Sequence, residues 1–209
     1  TSTPTAKPST VQFVPLAERT GLIEGVTGRV LGHVLDLISS VQGRDALRTP
    51  VVAVNVAATD LLRSGFVEEL VSGLAERSVP AGVLRLELTE RSVLADLPRA
   101  VEVIARLRTA GVGVSLDDFG TGASTLAVLR DLPVDCLKVD RSFVVGLPGS
   151  ADDRAVVALI VGLARHLGVD VVAEGIESEG QREALAELGC EWGQGYLFGP
   201  PWTAVQMQP

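Results

Sequence analysis

Between Val51 and Gly199 the chain alternates short runs of β-branched and aliphatic residues with longer stretches in which apolar residues recur every three to four positions. The short runs predict six strands: VVAVNV (51–56), LRLEL (84–88), VGVSLDD (112–118), CLKVD (136–140), DVVAE (170–174) and GYLFG (195–199). The longer stretches predict amphipathic helices, most clearly at 65–77, 97–110 and 153–167; in the second of these Val101, Ile104, Ala105 and Leu107 form one apolar stripe. Gly111 and Gly168 stand where C-terminal caps of the last two helices belong. An earlier helical pattern runs from Leu16 to Val41, and Pro50 ends the connection that follows it. Residues 1–10, TSTPTAKPST, show no such period and read as a tail or loop, which leaves 11–209 as one domain.

Strands alternating with helices are the signature of βα units around a parallel sheet, so the expected class is α/β. A barrel is the natural architecture, but a closed (β/α)₈ barrel typically takes about 250 residues and eight strands. Six strands in 209 residues therefore predict a TIM-type (β/α) barrel that is incomplete, or a sheet that is open.

Composition narrows the function. With 46% hydrophobic and 21% charged residues the chain can bury a core and is not disordered throughout. Eighteen Lys and Arg against 26 Asp and Glu give a net charge of -8 with no basic cluster, which argues against DNA or RNA as a partner. The longest apolar run, Ala155 to Ala164, falls short of the roughly 20 residues a membrane span needs. No secretory leader is evident at the N-terminus, and Cys136 and Cys190 suggest neither a disulfide framework nor a thiolate zinc site, so a reducing cytoplasm fits best. His33 and His166 lack partners at metal-binding spacing and read as surface or helix-packing residues; Cys136 reads as a small buried hydrophobe, and packing is the default for Trp192 and Trp202.

In parallel βα folds the chemistry sits at the C-terminal ends of the strands. Asn55, Glu87, Asp117, Asp118, Lys138 and Glu174 fall on or at the ends of the first five predicted strands, and Gln194 immediately precedes the sixth. Four carboxylates, two carboxamides and one ammonium thus face one mouth. Desolvated carboxylates in such proximity repel, and divalent cations are the simplest remedy. Oxygen donors without His or Cys favour Mg²⁺, Mn²⁺ or Ca²⁺ over zinc, and adjacent Asp117 and Asp118 can reach two ions about 3.5 to 4 Å apart.

The segments FVPLAERTGLI (13–23), VAVNVA (52–57), LRLELTE (84–90), DDFGTGASTL (117–126), DCLKVDRSF (135–143), VVAEGIE (171–177) and QGYLFGPP (194–201), in this order, resemble the EAL family of cyclic di-GMP phosphodiesterase domains. The resemblance implies a TIM-type barrel with two Mg²⁺ or Mn²⁺ ions, and hydrolysis of cyclic di-GMP to the linear dinucleotide. Asn55, Glu87 and Asp117 then correspond to ligands of one metal, and Asp117, Asp118 and Glu174 to ligands of the second. Lys138 corresponds to the lysine that contacts the attacking water, where two metals would drive its pKa downward, and Gln194 to the glutamine that supports the site. Asp118, Lys138 and Gln194 also face the substrate in this reading. Glu90 corresponds to the glutamate that anchors the loop Phe119 to Ala123, and Glu177 to a further glutamate near the site. Ala123 and Thr125 replace a common Tyr and Ser of that loop.

The Glu-Ala-Leu motif that names the family, whose Glu binds the first metal, precedes the FVPLAE segment in the family and does not occur in residues 1–12. The resemblance therefore implies a barrel incomplete at its N-terminus, a first metal site lacking one ligand, and weak or absent hydrolysis by this chain alone. Self-association through open sheet edges, and fusion to sensor or GGDEF-type domains, are expected with it. The other readings are a non-catalytic cyclic di-GMP receptor or protein-interaction module, and an unrelated metal-dependent barrel enzyme.

Overall fold

The computed structural model describes residues 23–41, 50–121 and 126–201. The expected tail at 1–10, the start of the first predicted helix at 16–22, Ala123, Thr125 and Trp202 lie outside the described residues. The elements follow the predicted alternation: α1 (Ile23–Val41), β1 (Val52–Asn55), α2 (Ala58–Leu61), α3 (Phe66–Glu76), β2 (Leu84–Thr89), α4 (Glu90–Leu94), α5 (Leu97–Thr109), β3 (Gly113–Phe119), α6 (Leu126–Asp131), β4 (Cys136–Val139), α7 (Arg141–Val145), α8 (Ala151–Leu167), β5 (Asp170–Ala173), α9 (Glu179–Glu187) and β6 (Trp192–Gly193). All six strands are parallel and lie in sequence order, each paired with its successor.

The sheet is an open half of a TIM-type barrel, and its curl is visible in side-chain reach. Arg85 of β2 lies 3.8 Å from Asp170 of β5. Two strands stand between them, so their backbones would be about 14 Å apart in a flat sheet. One face of each strand is apolar and packs under the helices: Leu84, Leu86 and Leu88 of β2 meet the same core as Ile104 and Leu107 of α5, and Leu137 of β4 the core that holds Val157, Ile160 and Ala164 of α8. Residues alternating with these, Arg85, Glu87 and Thr89 on β2 and Ser115 and Asp117 on β3, occupy the concave face.

Helix ends follow local chemistry. Asp96, Ser150 and Ser178 each accept a hydrogen bond from a backbone N–H of the first turn they cap, and Gln181 completes a capping box with Ser178. Gly168 caps α8 in the left-handed conformation, as expected from its position. One strand differs from expectation. The sixth is Trp192–Gly193, and GYLFG (195–199) is a turn in which Phe198 N–H donates to Gly195 O and Gly199 N–H to Tyr196 O. Pairing with β5 reaches only to Gln194 N–H on Ala173 O, because the chain then bends across the backbone of Ile176.

Candidate functional site

The mouth of the half-barrel is built row by row from strand register. Asn55 ends β1 in register with Glu87, Glu87 pairs with Ser115, and Thr89 pairs with Asp117. Parallel pairs share a face, so Asn55, Glu87 and Asp117 all belong to the concave side. The register between β3 and β4 breaks between Leu116 and Phe119, a bulge that contains both Asp117 and Asp118. Asp118 has a φ of 54° there, unusual for a residue with a side chain, and its N–H donates to Asp117 Oδ1 at 2.9 Å. Such a bulge re-aims side chains near a site, and here it leaves Asp117 buried and Asp118 exposed.

Lys138 is the centre of the constellation. Its side chain on β4 is only 4% exposed, and its ammonium donates to Glu87 Oε1 at 2.8 Å and Asp117 Oδ1 at 3.2 Å, and also to Glu174 Oε1. Burial by itself lowers a lysine pKa, but hydrogen bonds to Glu174 and Glu87, with the charges of Glu87 and Asp117, outweigh it and raise the pKa above the ordinary lysine value. The downward shift expected beside two metals concerns the metal-loaded site; without metal, the neighbours that decide the sign are carboxylates. Glu174 is raised by burial, and the Lys138 ammonium pulls part of that shift back. One ammonium thus faces three carboxylates in a nearly dry pocket, leaving the cluster net negative.

Partial loss of water around the exposed Asp118 carboxyl, then the charges of Asp117 and Asp140, push its pKa upward. Asp140 caps α7, accepting from Ser142 N–H at 2.9 Å. Gln194 donates from Nε2 to Glu174 Oε1 at 2.9 Å, the same oxygen that accepts from Lys138. Beside this pair opens a cavity of about 670 Å³, whose walls include Arg141, Glu174, Glu177, Gln194, Tyr196 and Phe198. Tyr196 and Phe198 are 63% and 58% exposed, and Arg141 pairs with Glu177 at 2.7 Å. Exposed aromatic faces next to an arginine suit a ligand with flat bases and an anionic linkage.

The structure therefore brings Glu87, Asp117, Lys138, Glu174 and Gln194 into one bonded group, with Asn55 and Asp118 at its margin and Glu177 on the cavity rim. Glu90 is buried at the start of α4, behind Thr89, whose hydroxyl accepts from Ser92 N–H at 3.2 Å. The loop it was expected to anchor is described only as far as Thr121. Asp140 and Asp60 were not singled out in the sequence. Asp140 carries a readable signal, a carboxylate just before a helix; Asp60, 2% exposed on α2 with no hydrogen-bond partner for Oδ2, carries none. His33 and His166 are exposed and Cys136 is fully buried, as expected, whereas Trp192 is 62% exposed where packing was the default.

The donor chemistry of this group fits a hard divalent cation: three carboxylates reach one point, with an amide nearby. As they stand, however, no three His, Cys, Asp or Glu side chains among the described residues are arranged to hold a metal ion. The Lys138 ammonium takes the central position.

A parallel half-barrel with carboxylates, a lysine and a glutamine gathered at the strand ends places the chain among α/β barrel domains whose polar mouth lies at the C-terminal ends of the strands. The EAL domain family model matches residues 4–201, and the chain belongs to that family. It is 39% identical over 201 residues to the cyclic di-GMP phosphodiesterase PA2567 of Pseudomonas aeruginosa, covering 96% of this chain and 34% of the relative. It is 41% identical over 192 residues to the cyclic di-GMP phosphodiesterase NbdA of the same organism, covering 91% of this chain and 24% of that protein. Among solved structures, PaMucR phosphodiesterase in complex with c-di-GMP superposes with a TM-score of 0.90 at 38% identity, covering 95% of this chain and 80% of the other. The EAL domain of Mycobacterium smegmatis DcpA gives 0.82 at 37% identity, covering 88% and 83%. The chain spans about a third or less of the length of these curated relatives. No helix among the described residues is long and apolar enough to cross a membrane.

Proposed function

We propose that this chain acts on cyclic di-GMP, hydrolysing one phosphodiester bond to give the linear dinucleotide in bacterial second-messenger signalling, with Mg²⁺ or Mn²⁺ held by Asn55, Glu87, Asp117, Asp118 and Glu174. The observation that carries this reading is the convergence of Glu87, Asp117 and Glu174 on one buried point beside a cavity with exposed aromatic walls. Divalent ions in that cradle supply Lewis-acid stabilisation of a phosphoryl oxygen and a more acidic water. The chain's own residues do the rest. Lys138 keeps its proton on Nζ and presents it to the anion and to water, Gln194 holds Glu174 by its carboxamide, and Arg141, Tyr196 and Phe198 receive the dinucleotide. Glu90 supports the loop beyond Phe119 from behind.

Hydrolysis by residues 1–209 alone is expected to be weak or absent, since the family's Glu-Ala-Leu glutamate is not found in residues 1–12. The second reading, a cyclic di-GMP receptor or interaction module, is favoured by the arrangement of the carboxylates, no three of which among the described residues are placed to hold a metal ion. A cytoplasmic location and neighbouring sensor or GGDEF-type domains belong to the same reading; the short share of each relative covered, and a relative called a bifunctional diguanylate cyclase/cyclic di-GMP phosphodiesterase, support it. Self-association is expected as well, because among the described residues β1 pairs only with β2, and Val51 beside it is 54% exposed. The test is cyclic di-GMP turnover with Mn²⁺, followed by chromatography of the linear product, on residues 1–209 and on a chain extended upstream, with mass from light scattering. Ligand binding without turnover in both selects the receptor. Full turnover by a monomer of residues 1–209 refutes the expected dependence on the upstream segment, and neither binding nor turnover in either refutes the proposal.

A further inference from the structure

The cradle is closed by one of the protein's own cations, and the consequence is a competition. Glu87, Asp117 and Glu174 each place an oxygen on Lys138 Nζ, and that side chain is almost fully buried. Three carboxylates so placed repel one another strongly unless a cation stands among them, and removing that cation leaves buried charge uncompensated. A divalent ion seated on the same oxygens removes the same repulsion. The two cannot share the point, because they would occupy the same space and an ammonium within about 3 Å of a divalent ion would meet a repulsion about twice the attraction of any one of the three carboxylates. Lys138 comes from the middle of the sheet on a four-carbon flexible stem, so it can withdraw without any change of backbone.

We propose that the Lys138 ammonium is the resident counter-ion of this cradle: it holds Glu87, Asp117 and Glu174 together in the metal-free protein and yields its place when a divalent ion enters. The proposal rests on the functional reading above only in taking these carboxylates as the metal ligands. It assigns Lys138 a role before any substrate arrives, as the group that keeps the site folded and that weakens metal binding by competing for its oxygens. Gln194, which bonds Glu174 without charge, has no such competing effect.

Titration calorimetry with Mn²⁺ on the full chain, as wild type and as Lys138→Met, reads the competition directly. Lys138→Met is expected to bind Mn²⁺ more tightly by about tenfold or more, as for the loss of a coupled competitor. It is also expected to melt lower than wild type in EDTA and to recover most of that difference in saturating Mn²⁺. A lysine that served only to hold the fold would lower stability in both buffers and would not tighten Mn²⁺ binding. Equal or weaker Mn²⁺ binding by Lys138→Met, with wild type binding, overturns the proposal and leaves the functional reading standing. No Mn²⁺ binding by either protein, nor by Asp117→Asn, overturns both. Should Lys138→Met fail to fold, ¹⁵N-lysine NMR of the wild type during Mg²⁺ titration replaces it. A protected ammonium signal, identified by its absence in Lys138→Arg, should move or be lost as Mg²⁺ binds, and a signal that stays unchanged at saturation overturns the proposal.

Discussion

Gly195 is the residue on which the last part of the site hangs, and its replacement can be worked out from distances. A Cβ built on it would lie 2.1 Å from the carbonyl oxygen of Ile176, 2.3 Å from its nitrogen and 2.7 Å from its carbonyl carbon. These are backbone atoms and cannot rotate away, so the two segments must part by about 1.3 Å to reach ordinary contact. That movement breaks Ile176 N–H to Gln194 O at 3.1 Å and Leu197 N–H to Ile176 O at 3.0 Å. Each hydrogen bond is worth about 1 kcal/mol net, and overpacking costs about 1–3 kcal/mol. Gly195→Ala should therefore lose about 3–5 kcal/mol, a large share of the roughly 5–15 kcal/mol typical of a domain. Urea denaturation monitored by circular dichroism reads this, and melting should fall by about 6–20 °C. Gly162→Ala is the internal control: its Cβ meets nothing within 4 Å, and it lies inside α8, where Ala is favoured over Gly by about 0.5–1 kcal/mol. Because Gln194 precedes Gly195 and bonds Glu174, ligand binding should weaken along with stability. A Gly195→Ala protein within about 1 kcal/mol of wild type would show that the turn yields and that the close approach does not fix Gln194.

Three further outcomes are expected. Asp117→Asn should abolish calorimetric Mn²⁺ binding, because Asp117 is the ligand shared by both implied metals, and unchanged binding would rule that sharing out. Glu90→Ala should weaken Mn²⁺ binding by about 10- to 100-fold without touching ligand, as loss of a supporting residue does in metal sites; an unaltered affinity would leave Glu90 a packing residue. Burial pushes the Cys136 thiol up to about 11, so at pH 8 it should resist iodoacetamide until urea is added, and rapid alkylation of the folded chain, located by peptide mass mapping, would contradict its burial on the concave face of β4.

The parts of this fold that are legible in sequence are those whose apolar pattern has one cause. In β2 the alternation of Leu84, Leu86 and Leu88 with Arg85 and Glu87 reflects a single division between core and concave face, so both its span and its chemistry could be read. GYLFG has the same look for a different reason. Tyr196 and Phe198 line a cavity and stay exposed, while Leu197 packs against the core, so the alternation marks a cavity wall instead of a paired strand. The strand that does pair, Trp192–Gly193, is too short to leave a pattern.

The site divides along the same line. Strand ends and parallel register are enough to place Asn55, Glu87, Asp117, Lys138 and Glu174 at one mouth, since paired residues of parallel strands share a face. Which of those groups meet is a matter of curvature, and curvature leaves no trace in residue order. A flat sheet would keep Lys138 and Glu87 on strands two positions apart, whereas the curl brings them to 2.8 Å. The bulge at Leu116 to Phe119 adds what spacing cannot show, turning one of two adjacent aspartates into the buried pocket and the other outward, toward Asp140. The carboxylates alone predict a metal; the same carboxylates curled around a buried lysine make a site that is neutralised in part by its own chain, and in the exchange proposed above one residue sets both metal affinity and the stability of the metal-free fold.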